Sequence, residues 1–78
     1  ITDRAATLRA AVRAALKADK LTADECADVL GQSVLSIRPR VTELSKMGEI
    51  EDAGERRKNA SGRNAIVWRS KWKNTLFE

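Results

Sequence analysis

The chain has 78 residues, of which 42% are hydrophobic and 33% charged, a balance that excludes a disordered chain and fits one small folded domain. One cysteine and no histidine exclude a disulfide framework and leave little basis for a metal centre or His-dependent catalysis. The lone cysteine favours a reducing, cytoplasmic setting. No apolar run is long enough to span a bilayer and there is no signal-peptide pattern, so we expect no membrane partner.

The formal net charge of +4 is unevenly distributed along the chain. Residues 1–37 carry five acidic and five basic side chains, whereas residues 38–73 carry ten basic and five acidic ones. Positive charge that is concentrated in one part of a small domain favours a polyanionic partner for that part. The alternative that composition leaves open is a charged surface that only keeps the chain soluble.

The first predicted element is a helix over residues 3–18. Its apolar residues recur with helical spacing and form one stripe, which consists of Leu8, Val12, Ala15 and Leu16. Leu21 follows as an isolated apolar residue, for which two interpretations are open: a one-residue bridge to a sheet, or a side chain that fills the core.

A second, short helix is predicted over residues 23–30. Thr22 and Glu25 have the spacing of a capping box, in which each side chain accepts a hydrogen bond from the backbone amide of the other. Gly31 is expected to end this helix in the left-handed conformation. Cys26 is expected to be a small core residue rather than a reactive thiol.

The third predicted helix carries Ile37, Val41 and Leu44 at helical spacing and ends before Gly48. Pro39 lies inside this pattern, and proline is tolerated without cost only in the first turn of a helix. The sequence therefore predicts that Ser36 is the N-cap and that Pro39 lies in the first turn, with Ser33 as the candidate cap of a separate, preceding turn.

A β-hairpin is predicted after Gly48. An extended segment begins at Ile50, is interrupted at residues 53–54 and continues over residues 55–58. Residues 59–62 have the composition of a turn, and residues 65–68 are β-branched and aromatic, as is typical of a strand. Trp68 is expected in the core.

Three helices followed by a hairpin predict an α+β, mostly helical fold: a three-helix core with a C-terminal β-hairpin wing, as in winged helix-turn-helix domains. We assign this domain to residues 1–70, and residues 71–78 to a tail or short closing helix. The segments TADECADVLG (22–31) and SIRPRVTELSKMGEI (36–50) resemble helices of the MarR/ArsR-like winged-helix superfamily. The segment ASGRNAIVW (60–68) is similar to the wing of small phage-borne DNA-binding domains.

The resemblance implies binding of double-stranded DNA in a bacterial cell or a phage-infected host, by a transcriptional, phage regulatory or DNA-processing protein. The third helix would enter the major groove with Ser36, Arg38, Arg40, Thr42 and Lys46. The wing would reach phosphates or the minor groove with Arg56, Arg57, Lys58, Asn59, Ser61, Gly62 and Arg63. If these cations contact phosphate, the log–log dependence of affinity on salt should have a slope on the order of −4 to −6.

The rival hypothesis is a protein-interaction or homodimerisation module without DNA binding. Its contact surface would be aliphatic and aromatic, and would consist of Val34, Leu35, Pro39, Trp72, Leu76 and Phe77. An enzyme is the weakest hypothesis, because the sequence shows no nucleophile–base pair. No cofactor and no small-molecule substrate are expected.

Overall fold

The computed structural model describes residues 4–59 and 61–71. Three helices come first in the chain: α1 (Arg4–Ala18), α2 (Ala23–Leu30) and α3 (Val34–Lys46). Two antiparallel strands follow, β1 (Ile50–Lys58) and β2 (Asn64–Ser70). The predicted order of three helices and a hairpin is thus confirmed, whereas Trp72, Leu76 and Phe77 lie outside the described residues.

Both ends of α2 have the predicted local chemistry. The Thr22 hydroxyl accepts from the Glu25 amide at 3.1 Å, and a Glu25 carboxylate oxygen accepts from the Thr22 amide at 2.9 Å. Gly31 ends the helix with φ of 65°, a conformation that costs side-chain-bearing residues about 1–2 kcal/mol. The capping box and Gly31 thus define the two ends of the eight-residue helix α2, and Gly31 begins the tight turn that leads into α3.

The prediction for the start of α3 was wrong. The N-cap is Ser33, whose hydroxyl accepts from the Leu35 amide, and its carbonyl accepts from Ser36 and Ile37. Pro39 therefore lies within the helix, beyond its first turn. Pro39 lies on the exposed side of α3, where water can reach the backbone and replace the hydrogen bond that proline removes. Because the cost of Pro39 is reduced in this way, the helix can begin at the Ser33 cap, three residues before the predicted cap at Ser36.

The hairpin has an irregularity where the sequence predicted an interruption. Pairing is regular from Ile50 to Asp52 and again from Arg56 to Lys58, with extra residues of β1 bulged between them. Gly54 sits in this bulge with φ of 81°, and its amide donates to the Asp52 carboxylate at 2.8 Å.

Leu21 has both of the roles that the sequence left open: it forms a one-residue bridge with Trp68, and it packs, partly buried, against the core. The two residues exchange both backbone hydrogen bonds, at 2.8 and 3.0 Å. Since Trp68 also pairs with Asp52 of β1, strand β2 lies between β1 and Leu21. The hairpin is thereby attached to the segment that joins α1 to α2.

The core lies between the helices and the start of β1. Its buried residues come from all three helices and the first strand: Leu8, Val12, Leu16, Cys26, Ala27, Ile37, Val41, Leu44 and Ile50. Trp68 is partly buried and packs against this cluster, as expected. Val34 does so too, so the expectation that it belongs to an exposed patch was wrong. Full burial of an aliphatic side chain contributes about 1.5–3 kcal/mol, which makes this cluster the main stabilising feature.

No helix among residues 4–59 and 61–71 combines the length and the apolar character that crossing a membrane requires.

Candidate nucleic-acid interface

One side of α3 faces solvent along its whole length. Leu35, Pro39, Thr42 and Lys46 are spaced by four, three and four residues, which places them in one row on an α-helix. All four are exposed, and we call this row the outer face of α3. The opposite side carries Ile37, Val41 and Leu44 into the core, so the outer face is fixed in position by the packing behind it.

Arg38 lies beside the outer face and is exposed. Its guanidinium approaches the Asp24 carboxylate of α2 at 3.4 Å, the longest ion pair among the described residues. The Thr42 hydroxyl donates to the Arg38 carbonyl at 3.2 Å, so its proton is already used within the helix. Arg38 is weakly held, and Thr42 offers a partner mainly its methyl group and its oxygen lone pairs.

Arg40 is turned away from the outer face. Its guanidinium binds both oxygens of Glu43, at 2.7 and 2.9 Å, and only 17% of its side chain is exposed. Arg9 of α1 binds the same carboxylate at 2.9 Å. Hydrogen bonds from Arg40 and then Arg9 hold the pKa of Glu43 below its ordinary value. Arg40 is therefore committed to the body of the protein. Ser36, one turn before Arg40, is half-buried, and its backbone amide donates to the Ser33 carbonyl.

The arginines near the bulge are paired in the same way. We call residues 51–57 with Arg69 the hairpin base. Arg56 binds both oxygens of Asp52, at 2.9 and 3.0 Å, and Arg69 binds Glu51 at 2.7 Å. The bonds from Arg56 and from the Gly54 amide keep the pKa of Asp52 low. The positive charge of Arg56 and Arg69 is thus neutralised locally.

A chain of ion pairs connects the hairpin base to α2. Lys20 binds Glu55 at 2.8 Å, and Glu55 accepts from Arg57 at 3.0 Å. Arg57 also binds Glu25 at 2.8 Å, through the same carboxylate oxygen that accepts from the Thr22 amide at the start of α2. Lys20 first and Arg57 second lower the pKa of Glu55. Arg57 therefore fastens the hairpin to the helices, a role that the sequence analysis did not foresee.

The hairpin tip (residues 58, 59 and 61–63) has a different construction. The Asn59 side-chain oxygen accepts from the Ser61 amide, the Ser61 hydroxyl and the Arg63 amide at 2.7–3.1 Å. Gly62, with φ of 83°, donates its amide to the Asn59 carbonyl. Asn59, Ser61 and Gly62 thus shape the turn. The side chains of Lys58 and Arg63, on either side of this turn, are exposed and form no ion pair with any described residue.

A groove of about 360 Å³ lies between the hairpin tip and the pair of helices α2 and α3. Lys58 and Asn59 line one side of it, and α2 together with the start of α3 lines the other. Three carboxylates border the groove, those of Asp24, Glu25 and Asp28. The fold therefore brings the tip close to the start of α3, while the three carboxylates make the inside of the groove unfavourable for an anion.

The structure divides the predicted site residues into three groups. Lys46, Lys58 and Arg63 are exposed cations without an ion pair to a described residue, and Arg38 is exposed with a long one. Arg40, Arg56 and Arg57 are engaged by carboxylates. Asn59, Ser61 and Gly62 shape the hairpin turn. Two residues of α3 belong to none of these groups: Ser36 is half-buried, and Thr42 lies on the outer face. Leu35, at 78% the most exposed large apolar side chain among the described residues, belongs to the same surface, although the sequence analysis assigned it only to the rival protein-interaction hypothesis.

Cys26 is fully buried, and burial, with Glu25 adding to it, raises the pKa of its thiol to about 11. Within the described ranges, no group of three or more acidic or cysteine side chains is placed to hold a metal ion.

No protein-family model matches the chain, and no curated protein or solved structure is significantly similar to it.

Proposed function

We propose that this protein binds double-stranded DNA, with the outer face of α3 in the major groove and the hairpin tip on the phosphates beside it. The fold follows the order of a winged helix-turn-helix: a capped short helix, a left-handed glycine turn, an exposed third helix and a hairpin. Such a protein would work in the cytoplasm as a transcriptional, phage regulatory or DNA-processing factor.

The observation that carries the proposal is the position of the available positive charge. Lys46 lies on the outer face of α3, Arg38 beside it, and Lys58 and Arg63 at the tip. Phosphates attract exposed cations that have no carboxylate partner, or only a distant one as Arg38 has, because binding then releases counterions and breaks at most one long ion pair. The contacts expected are therefore fewer than the sequence suggested, since Arg40, Arg56 and Arg57 have partners within the chain.

A salt titration tests this proposal. The affinity for a short random-sequence duplex is measured by fluorescence anisotropy between about 50 and 200 mM salt. With about four phosphate contacts, the log–log slope should be about −3 to −4. A flat salt dependence, or no binding at low salt, would reject the proposal.

A pair of lysines supplies the matched control. Lys46 and Lys17 are both exposed, and each is the basic residue in the last turn of its helix, α3 and α1 respectively. Lys46→Ala should reduce the magnitude of the salt slope by about 1, whereas Lys17→Ala should leave it unchanged. Equal effects of the two substitutions would show that only net charge matters.

The second candidate function is a protein-interaction or homodimerisation module, which the exposure of Leu35 favours. It predicts self-association or partner capture that survives high salt, together with no retardation of DNA. Sedimentation at low and high salt separates it from DNA binding.

A further inference from the structure

The outer face of α3 is apolar where a DNA-reading helix would need hydrogen-bonding groups. Leu35 and Pro39 occupy its first two positions, and neither side chain carries a donor or an acceptor. The Thr42 hydroxyl proton is directed at the Arg38 carbonyl. Lys46, at the far end, is the first residue of the row with a free donor.

This chemistry limits which base edges the face can cover. In the major groove, guanine, cytosine and adenine present polar groups that lose water when an aliphatic side chain covers them. Thymine presents in addition a C5-methyl group, which gains from contact with an aliphatic neighbour. Leu35 and Pro39 therefore discriminate in favour of thymine, and the proline ring does so without losing side-chain rotamer freedom.

The surrounding charges indicate that the partner of this face is a nucleic acid duplex. Lys46 continues the row of Leu35 and Pro39, Arg38 flanks it, and Lys58 lines the groove beside the start of α3. An apolar row bordered by available cations is complementary to a groove floor with methyl groups between two phosphate chains. An apolar protein partner would instead leave these cations facing uncharged surface.

We infer that the outer face of α3 recognises thymine methyl groups, so that the preferred targets are A·T-rich duplexes. This inference rests on the proposed DNA-binding function and gives it a substrate class. Because the contact is apolar, the preference for thymine should persist at salt concentrations that weaken overall binding.

Uracil substitution tests the inference directly, because it removes the methyl group and keeps the base-pairing edge. Affinity is compared for an alternating A·T duplex and the same duplex with uracil in place of thymine, so that binding register does not matter. The protein should bind the thymine duplex about fourfold more tightly for each methyl group that it covers. Methylation of cytosine at C5 in an alternating G·C duplex should increase affinity for the same reason.

Two variants show whether Leu35 is responsible. Leu35→Ala should abolish most of the difference between thymine and uracil duplexes while keeping salt-dependent binding. Val29→Ala is the matched control, because Val29 is also an exposed aliphatic residue, at 65%, but lies on α2. It should leave the thymine preference intact.

Equal binding of the thymine and uracil duplexes, or a preference that Leu35→Ala retains, overturns the inference while leaving DNA binding in place. Failure to bind any duplex overturns both the inference and the proposed function. If Leu35→Ala instead abolishes salt-resistant self-association, the face is a protein interface and the inference is wrong.

Discussion

The base and the tip of the hairpin are both rich in cations, but they differ in how much charge they can offer to a partner. At the base, Arg56, Arg57 and Arg69 each bind a carboxylate of the same chain. At the tip, Lys58 and Arg63 are exposed without such a partner among the described residues. A cluster of basic residues in sequence is therefore two regions in structure, one that attaches the hairpin and one that is available for binding.

Ion-pair partners within the chain, more than the density of lysine and arginine, decide which cations a polyanion could contact without breaking an existing bond. Arg57 illustrates the point, since its guanidinium joins Glu55 of the hairpin to Glu25 of α2. Competing for Arg57 would require a phosphate to break two hydrogen-bonded pairs. Lys58, the next residue along β1, imposes no such cost.

The largest expected effect concerns DNA affinity, and it tests the comparison most directly. Lys58→Ala combined with Arg63→Ala should weaken binding on the order of 30-fold near physiological salt and reduce the salt slope by about 2. Arg56→Ala combined with Arg69→Ala removes two cations from the same hairpin and should change affinity much less. Anisotropy titrations of both double variants provide the measurement, and equal losses would refute the distinction between base and tip.

A smaller effect is expected on stability, from the two glycines with positive φ in the hairpin. Gly54→Ala at the base should lower the free energy of unfolding by about 1–2 kcal/mol, because of backbone strain alone. No heavy atom lies within 4 Å of the position that the added methyl group would take at either glycine. Gly62→Ala at the tip carries similar strain, but a tip can open while the body stays folded. Its effect in urea denaturation should be less than half as large.

Asp24 offers a substitution that should strengthen binding. Asp24→Asn releases Arg38 from its only carboxylate partner among the described residues and should raise DNA affinity about two- to fivefold, the range for an exposed pair. Asp28→Asn is the control, because Asp28 also borders the groove and is exposed but holds no described cation. An equal gain from both substitutions would mean that Arg38 is not the residue released.

The smallest expected effect is an acid destabilisation to which the hairpin base contributes, together with Glu43 and Glu49, whose pKa values are also lowered by arginine partners. The pKa values of Asp52 and Glu55 are lowered by their cationic partners, so the folded state binds protons less readily than the unfolded chain. This stabilisation is complete above the ordinary values, 3.8 for Asp and 4.5 for Glu, and is lost as the pH falls through the lower values of the folded state. Urea midpoints measured from neutral pH to pH 3 should decline only in the acid range. Combining Asp52→Asn with Glu55→Gln should flatten that decline.

Local signals in the sequence predicted the fold well. The Thr22–Glu25 capping box, the left-handed Gly31 and the turn ending at Gly62 each depend on neighbouring residues, so sequence order alone reveals them. The start of α3 was missed because the cost of Pro39 depends on its exposure, which is a property of the packed helix. A serine cap at Ser33 outweighed that cost.

The candidate site was less predictable because its charges are set by partners far apart in sequence. Glu25 and Arg57 belong to different elements, and so do Asp24 and Arg38. Nothing in the spacing of the basic residues distinguishes Arg57 from Lys58. Their difference arises from the alternation of side chains along β1, which places Arg57 on the face that meets α2.

The bridge between Leu21 and Trp68 has a consequence for how the chain reaches its native state. The helices and the hairpin are each built from contacts that are local in sequence and can form early, whereas this bridge closes a loop that contains most of the molecule. Joining the hairpin to the helices is therefore the folding step with the largest entropic penalty. A folding transition state that already contains this bridge would make the rate of folding, rather than that of unfolding, sensitive to Leu21.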